Sequence, residues 1–258
     1  GINVDAPVIY ANDQITYLIG LYEFFRGTPV ETILGLIRER IAEYELSDQN
    51  TEGYLALRRE YNRTGRPIDL FVLTCYSFNH QIRFNQKHEF NIPFGRNRSA
   101  YNPSIEANLV RFVEALQQKD IRFSTRDFLS FDFSVLQPGD LVYCDPPYHA
   151  TEGYYQNIGE DGFTERDHIR LRDALLSMEG KFLLSYNDDA FIRGLYDAPG
   201  IQIEPVTRLN NIRQRYDPNC QFSELLIANY DMAERAHATT QINLFDFQKG
   251  EFDETYVF

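Results

Sequence analysis

The stretch Leu141-Val142-Tyr143-Cys144-Asp145-Pro146-Pro147-Tyr148 constrains this chain more than any other. Its first four residues read as a buried strand. The prolines cannot extend a sheet, because each has a fixed φ and no N–H to donate. The chain should therefore leave the strand at Asp145 and stay stiff through Pro147. In open α/β sheets, ligands bind beyond the carboxyl ends of strands, where this acid would stand. The Asp145 carboxylate and an exposed proline carbonyl offer two acceptors, which suits an amino group with two N–H donors. Tyr148 adds a ring that can stack on a heteroaromatic base, a contact of about 1–3 kcal/mol. The plainer alternative is a rigid corner between strand and loop.

The rest of the chain supplies a frame for that corner. Strands are expected at 8–13, 121–128, 141–144, 181–188 and 223–230, and helices at 14–27, 31–47, 52–65, 104–119 and 165–178. Ser104 is the expected cap of the 104–119 helix. Segment 69–79 is apolar throughout and fits a helix or a strand, while 80–99, with Pro93 and Gly95 as breakers, reads as a β-hairpin or extended loop. Strands alternating with helices predict a mostly parallel α/β sheet, into which 31–119 is inserted. Three strands run into acids, Asp13, Asp127 and Asp145. Acids there can hold ribose hydroxyls or simply cap the next helix.

Composition bounds the chemistry. The 258 residues, 43% of them hydrophobic, are enough for a large core, and no apolar run approaches a membrane span. Read from its first residue, the chain shows no signal-peptide pattern. Three scattered cysteines, Cys75, Cys144 and Cys220, form neither a disulfide framework nor a metal-ligand spacing and fit a reducing cytoplasm. The net charge of −13 argues against bulk affinity for nucleic acid. The charge is uneven, however. Residues 83–98 carry Arg83, Lys87, Arg96 and Arg98 against one acid, Glu89, whereas 231–258 hold six acids and two bases. One basic patch on an acidic body suits docking of a polyanion at a single face.

Asp145-Pro146-Pro147-Tyr148 resembles the catalytic motif of N6-adenine DNA methyltransferases. IRFNQKHEFNIPFGR (82–96) resembles the hairpin of the Dam-type, or D12, group, and YLALRREYN (54–62), RDF (126–128), LLSYND (183–188) and SELLIANY (223–230) are similar to its other blocks in order. The resemblance covers residues 1 to about 231. It implies a Rossmann-like methyltransferase sheet, with 1–30 and 120–231 as the catalytic core and 31–119 as the target-recognition domain, its DNA-binding hairpin near 80–99. It implies S-adenosylmethionine as methyl donor, no metal, and an adenine flipped out of duplex DNA. Asp145 and the Pro146 carbonyl would bind the N6 hydrogens, with Pro147 holding the corner and Tyr148 stacking on the base. Asp13, Asp127, Phe128 and Asp145 would line the cofactor site. Arg83, Asn85, Lys87, Arg96 and Arg98 would contact DNA, with Phe84 as a wedge between bases and GATC as the expected site. Asn91 and Pro93-Phe94-Gly95 would hold the hairpin's shape.

Two blocks that usually precede Asp13 in the group, a lysine-bearing segment and an FxGxG loop, have no counterpart in these residues. The expectation is that the first strand and its loop lie outside this chain, which alone would bind the cofactor weakly. The competing reading is a non-catalytic or split DNA-recognition subunit; cytosine-N4 or protein-glutamine methylation would put Ser or Asn at position 145. The tail 232–258 contains QINLF (241–245), which resembles the peptide by which bacterial proteins bind the replication sliding clamp. Gln241, Leu244 and Phe245 would be its anchors. Packing of those apolar residues on the body is the alternative.

Overall fold

A computed structural model of the chain describes residues 3–149, 163–209 and 221–232. They fall into two compact units, 3–126 and 127–232. The first unit is built of β1 (Ile9–Asn12), α1 (Thr16–Gly27), α2 (Val30–Glu43), α3 (Thr51–Thr64), α4 (Pro67–Tyr76), α5 (Pro103–Gln117) and β2 (Ile121–Ser124). β1 and β2 pair in parallel, with Ile9 opposite Ile121 and Asn12 opposite Ser124.

The segment that fitted either a helix or a strand is α4. Every residue from Ile68 to Tyr76 is buried, so no polar stripe exists to reveal a period of 3.6. Helices α1, α2 and α3 contact it. Phe25, Ile37, Leu57, Phe71 and Leu109 belong to one buried cluster that also includes Ile121. Asp69, inside this core, is held by Arg40 Nε at 2.8 Å. Helix α3 begins at Asn50, whose side chain accepts from Gly53 N, and ends at Gly65, whose φ of 66° closes it. Helix α5 is capped by Asn102, which accepts from Ile105 N at 3.0 Å, and not by Ser104. Pro103 takes the first helical position, where its missing N–H costs nothing, and so puts the cap at Asn102, two residues upstream of Ser104.

The second unit holds β3 (Leu141–Cys144), α6 (Glu165–Ser177), β4 (Lys181–Asn187), α7 (Ala190–Leu195), β5 (Gln202–Leu209) and β6 (Gln221–Ala228). Its sheet runs β3-β4-β6-β5. Only β3–β4 is parallel; β6 is antiparallel to both β4 and β5. The expected mostly parallel sheet is thus a mixed one in this unit. Its core is formed by Leu171, Leu175, Phe182, Leu184, Tyr186, Ile192, Leu225 and Ile227. The Asn229 side chain accepts from Phe182 N and donates to Gly180 O, tying the end of β6 to the start of β4.

Two further expectations change. Among the described residues of this unit's sheet, β3 lies at the edge and is not buried: Leu141 and Tyr143 are 52% and 59% exposed, while Val142 and Cys144 face the core cluster. β2 stops at Ser124, so Asp127 does not end a strand but caps a 3-10 turn, accepting from Leu129 N at 2.9 Å. β5 and α7 were not anticipated. β5 carries Glu204 and Pro205 in its middle, which blur its alternation. No helix among the described residues is long and apolar enough to cross a membrane.

Candidate functional site

β3 pairs with β4 through Cys144 opposite Leu184, and the chain then turns out at Asp145. Asp145 is exposed, and Pro146, Pro147 and Tyr148 are half-buried. Tyr148 packs on the second unit's core, as does Phe128. Its hydroxyl donates to Glu224 Oε1 on β6 at 3.2 Å and also bonds the buried Ser185 on β4. Burial first, then the Glu224 charge, push this phenol up to about 12, so it stays a donor at neutral pH. Burial and the Asp145 charge raise the Cys144 thiol to about 12, which makes it inert.

The next residue, His149, anchors the corner. Its Nδ1 lies 2.9 Å from Asp189 Oδ1, its Nε2 lies 3.3 Å from Glu165, and its ring stacks on Phe191 at 4.5 Å. The Asn187 side-chain amide donates to its carbonyl at 3.3 Å. Asp189 also caps α7 through Phe191 N and Ile192 N. The same unit contains Asp127 and Phe128. Arg170 lies 3.6 Å from the Asp127 carboxylate and over the Phe128 ring at 5.5 Å. Asp13 belongs to the first unit. Its Oδ1 accepts from Ile15 N at 2.7 Å, and burial holds its carboxyl above the usual range.

The first unit also contains the basic segment. No regular strands form there; two isolated antiparallel bridges, Ser77 with Phe94 and Phe84 with Phe90, shape an extended loop. Helix α3 braces it from one face. Tyr54 OH donates to Ile92 O at 2.8 Å, Arg58 adds a bond to the same carbonyl, and the Asn62 amide both accepts from Phe90 N and donates to Phe90 O. Arg83, Lys87, Arg96 and Arg98 are exposed. Arg83 Nε donates to Asn91 Oδ1 at 2.9 Å, and Arg98 lies over the Phe78 ring. Gly95 is needed for space, since a Cβ there would stand 2.7 Å from Ser77 O. Two expected DNA contacts have other work in this structure. Phe84 is 6% exposed and stacks on Tyr17, as part of the core rather than a projecting wedge. The Asn85 carboxamide folds the loop tip, accepting from Lys87 N and Glu89 N. The 241–245 segment lies outside the described residues.

Glu224, Ser185, His149 and Asp189 were not singled out from the sequence. Glu224 left one signal, a charge inside the apolar run of β6, and His149 another, a titratable group directly after the prolines. Among the described residues, no set of three His, Cys, Asp or Glu side chains is arranged to hold a metal.

A parallel strand pair ending in an acid, two prolines and a braced tyrosine, on a mixed α/β framework, defines the class. The sequence matches the D12 class N6 adenine-specific DNA methyltransferases over residues 1–212, and the chain belongs to that family. It is 46% identical over 184 residues to the type II methyltransferase M.FokI of Planomicrobium okeanokoites, covering 70% of this chain and 28% of that protein. It is 42% identical over 165 residues to the modification methylase StsI of Streptococcus sanguinis, covering 64% of this chain and 25% of the relative. The retron Ec67 DNA adenine methylase of Escherichia coli is 30% identical over 205 residues, covering 73% and 68% of the two chains. The match thus spans about a quarter of the first two relatives' lengths.

Proposed function

We propose that this protein methylates N6 of adenine in duplex DNA. The observation that carries the reading is the Asp145–Tyr148 corner, with Tyr148 held by Glu224 and Ser185 at the end of a parallel strand pair. N6 is unreachable within the base stack, so the adenine would be flipped out. Asp145 and the Pro146 carbonyl would accept the two N6 hydrogens, which turns the nitrogen lone pair away from the ring. Asp145 is then the group that receives the proton N6 gives up. Tyr148 would stack on the flipped base. The prolines limit how far these groups can move, so their contribution is positioning and preorganised electrostatics.

The donor in this reading is S-adenosylmethionine, which supplies an electrophilic sulfonium methyl. Asp13 fits a ribose contact, because a half-buried carboxylate anchored through one oxygen suits hydroxyl donors. Phe128, half-buried beside Asp127, fits an adenine ring. Arg83, Lys87, Arg96 and Arg98 would meet DNA, with GATC as the first site to try. The test is transfer of a labelled methyl group to duplexes with and without GATC, followed by digestion to nucleosides. Label should appear in 6-methyladenine, and Asp145→Ala should lower the rate at least 100-fold, the order of loss when a preorganised transition-state contact is removed. Label in 4-methylcytosine would overturn the reading. Sequence-selective binding with no transfer would favour a recognition subunit instead.

A further inference from the structure

We infer that His88, at the tip of the basic loop, is a specificity-determining residue that touches base edges in the recognised duplex; this rests on the DNA-modifying function proposed above. The tip is a tight turn. Asn85 N donates to Glu89 O at 2.9 Å and His88 N to Asn85 O at 2.8 Å, with Gln86 and Lys87 between them. This turn puts His88 at a φ of 60°, in the left-handed region. Glycine is the residue such a turn favours, and a residue with a Cβ is disfavoured there.

The turn has no easy way to relax. Asn85 ties the backbone N–H groups of Lys87 and Glu89 to its own carboxamide. Asn62 clamps Phe90 through both its N–H and its carbonyl, and Tyr54 and Arg58 hold Ile92. His88 is therefore held in a left-handed backbone conformation, with its ring centroid 6.3 Å from that of Tyr17. Strain of this kind, held in place by its surroundings, marks functional positions.

What surrounds the tip narrows the role. Phe84 is buried and Asn85 is committed to the turn, while Arg83 is turned along the loop onto Asn91. Lys87 and His88 are adjacent and exposed at the apex. Lysine meets phosphates or guanine edges as a point charge. Imidazole carries a donor and an acceptor nitrogen in one rigid ring, so it can tell an amino edge from a carbonyl edge. The pair thus divides affinity from reading, with Lys87 supplying charge and His88 discrimination.

The experiment is selection from a pool of randomised duplexes by the wild-type protein, His88→Gly and His88→Asn, alongside urea unfolding and binding to mixed-sequence DNA. Glycine removes the strain, so His88→Gly should unfold at no lower urea and bind mixed-sequence DNA within about twofold of wild type. Its enrichment of the preferred sequence should fall about tenfold, the effect of losing about 1.4 kcal/mol of base discrimination. Asparagine tolerates the same φ and keeps polar groups, so His88→Asn should enrich an altered sequence. Wild-type enrichment matched by His88→Gly would overturn this inference alone. Enrichment of no sequence by the wild type would overturn it together with the DNA-modifying function.

Discussion

At Tyr148 two contributions can be separated by substitution. Phenylalanine keeps the ring and loses only the bonds to Glu224 and Ser185, worth about 1–3 kcal/mol because one acceptor is charged. Tyr148→Phe should slow methyl transfer about tenfold, mainly in kcat, and Tyr148→Ala should also weaken base stacking and raise the KM for DNA. An unchanged kcat in Tyr148→Phe would show that the Glu224 contact does not position the ring. His168 offers a second test at this scale. It is 1% exposed, its Nδ1 lies 2.9 Å from Tyr186 OH, and burial, aided by His149, lowers its pKa from 6.5 to about 4. Between those values the unfolded chain takes up a proton that the folded one refuses. Stability present above pH 6.5 is therefore lost as pH falls towards 4, a loss on the order of 3 kcal/mol. Urea unfolding at about pH 7.5 and about pH 5 should show His168→Gln losing less than wild type between the two. Equal losses would count against the buried neutral histidine.

Among the elements, α3 and the basic loop form a pair whose logic is visible in spacing. Tyr54, Arg58 and Asn62 recur every four residues and so share one face. All three meet loop backbone groups that have no strand partner. Asn62→Ala removes both bonds to Phe90, each worth about 0.5–1.5 kcal/mol. The Phe90 amide should then exchange with solvent about tenfold faster. Asn62→Asp, which keeps the acceptor, should restore much of its protection, and an Asp variant no slower than Ala would sink the bracing role. The 54–62 and 82–96 segments were each legible as family blocks, but not their contact, because nothing in either sequence states which backbone carbonyls lack partners.

At the scale of the whole molecule, charge distribution matters more than charge total. A net charge of −13 coexists with four exposed cations in one loop. If those four meet phosphates, the log–log dependence of DNA affinity on salt should have a slope of about −4, and Arg96→Gln should reduce its magnitude by about 1. A slope untouched by Arg96→Gln would remove that residue from the interface. Each unit has its own buried cluster, so stability is read locally. Leu184→Ala, at a fully buried position of the second unit, should cost about 2–5 kcal/mol and speed amide exchange in β4 and β6.

The sequence by itself determined the helices with clear polar stripes, the strand that stops at Asp145, the basic loop and the family, because each is written in contiguous residues. Local pattern does not encode neighbours. Whether an apolar run is helix or strand, as in α4, and whether Leu141–Cys144 is central or at an edge depend on what covers each face. The tertiary structure alone showed that Phe84 and Asn85 serve the loop, that Glu224 and His149 hold the Asp145–Tyr148 corner, and that His88 stands at a strained apex. The Phe84, Glu224 and His149 contacts join distant parts of the chain, while Asn85 and His88 depend on the local fold of one turn, and neither is visible in residue order.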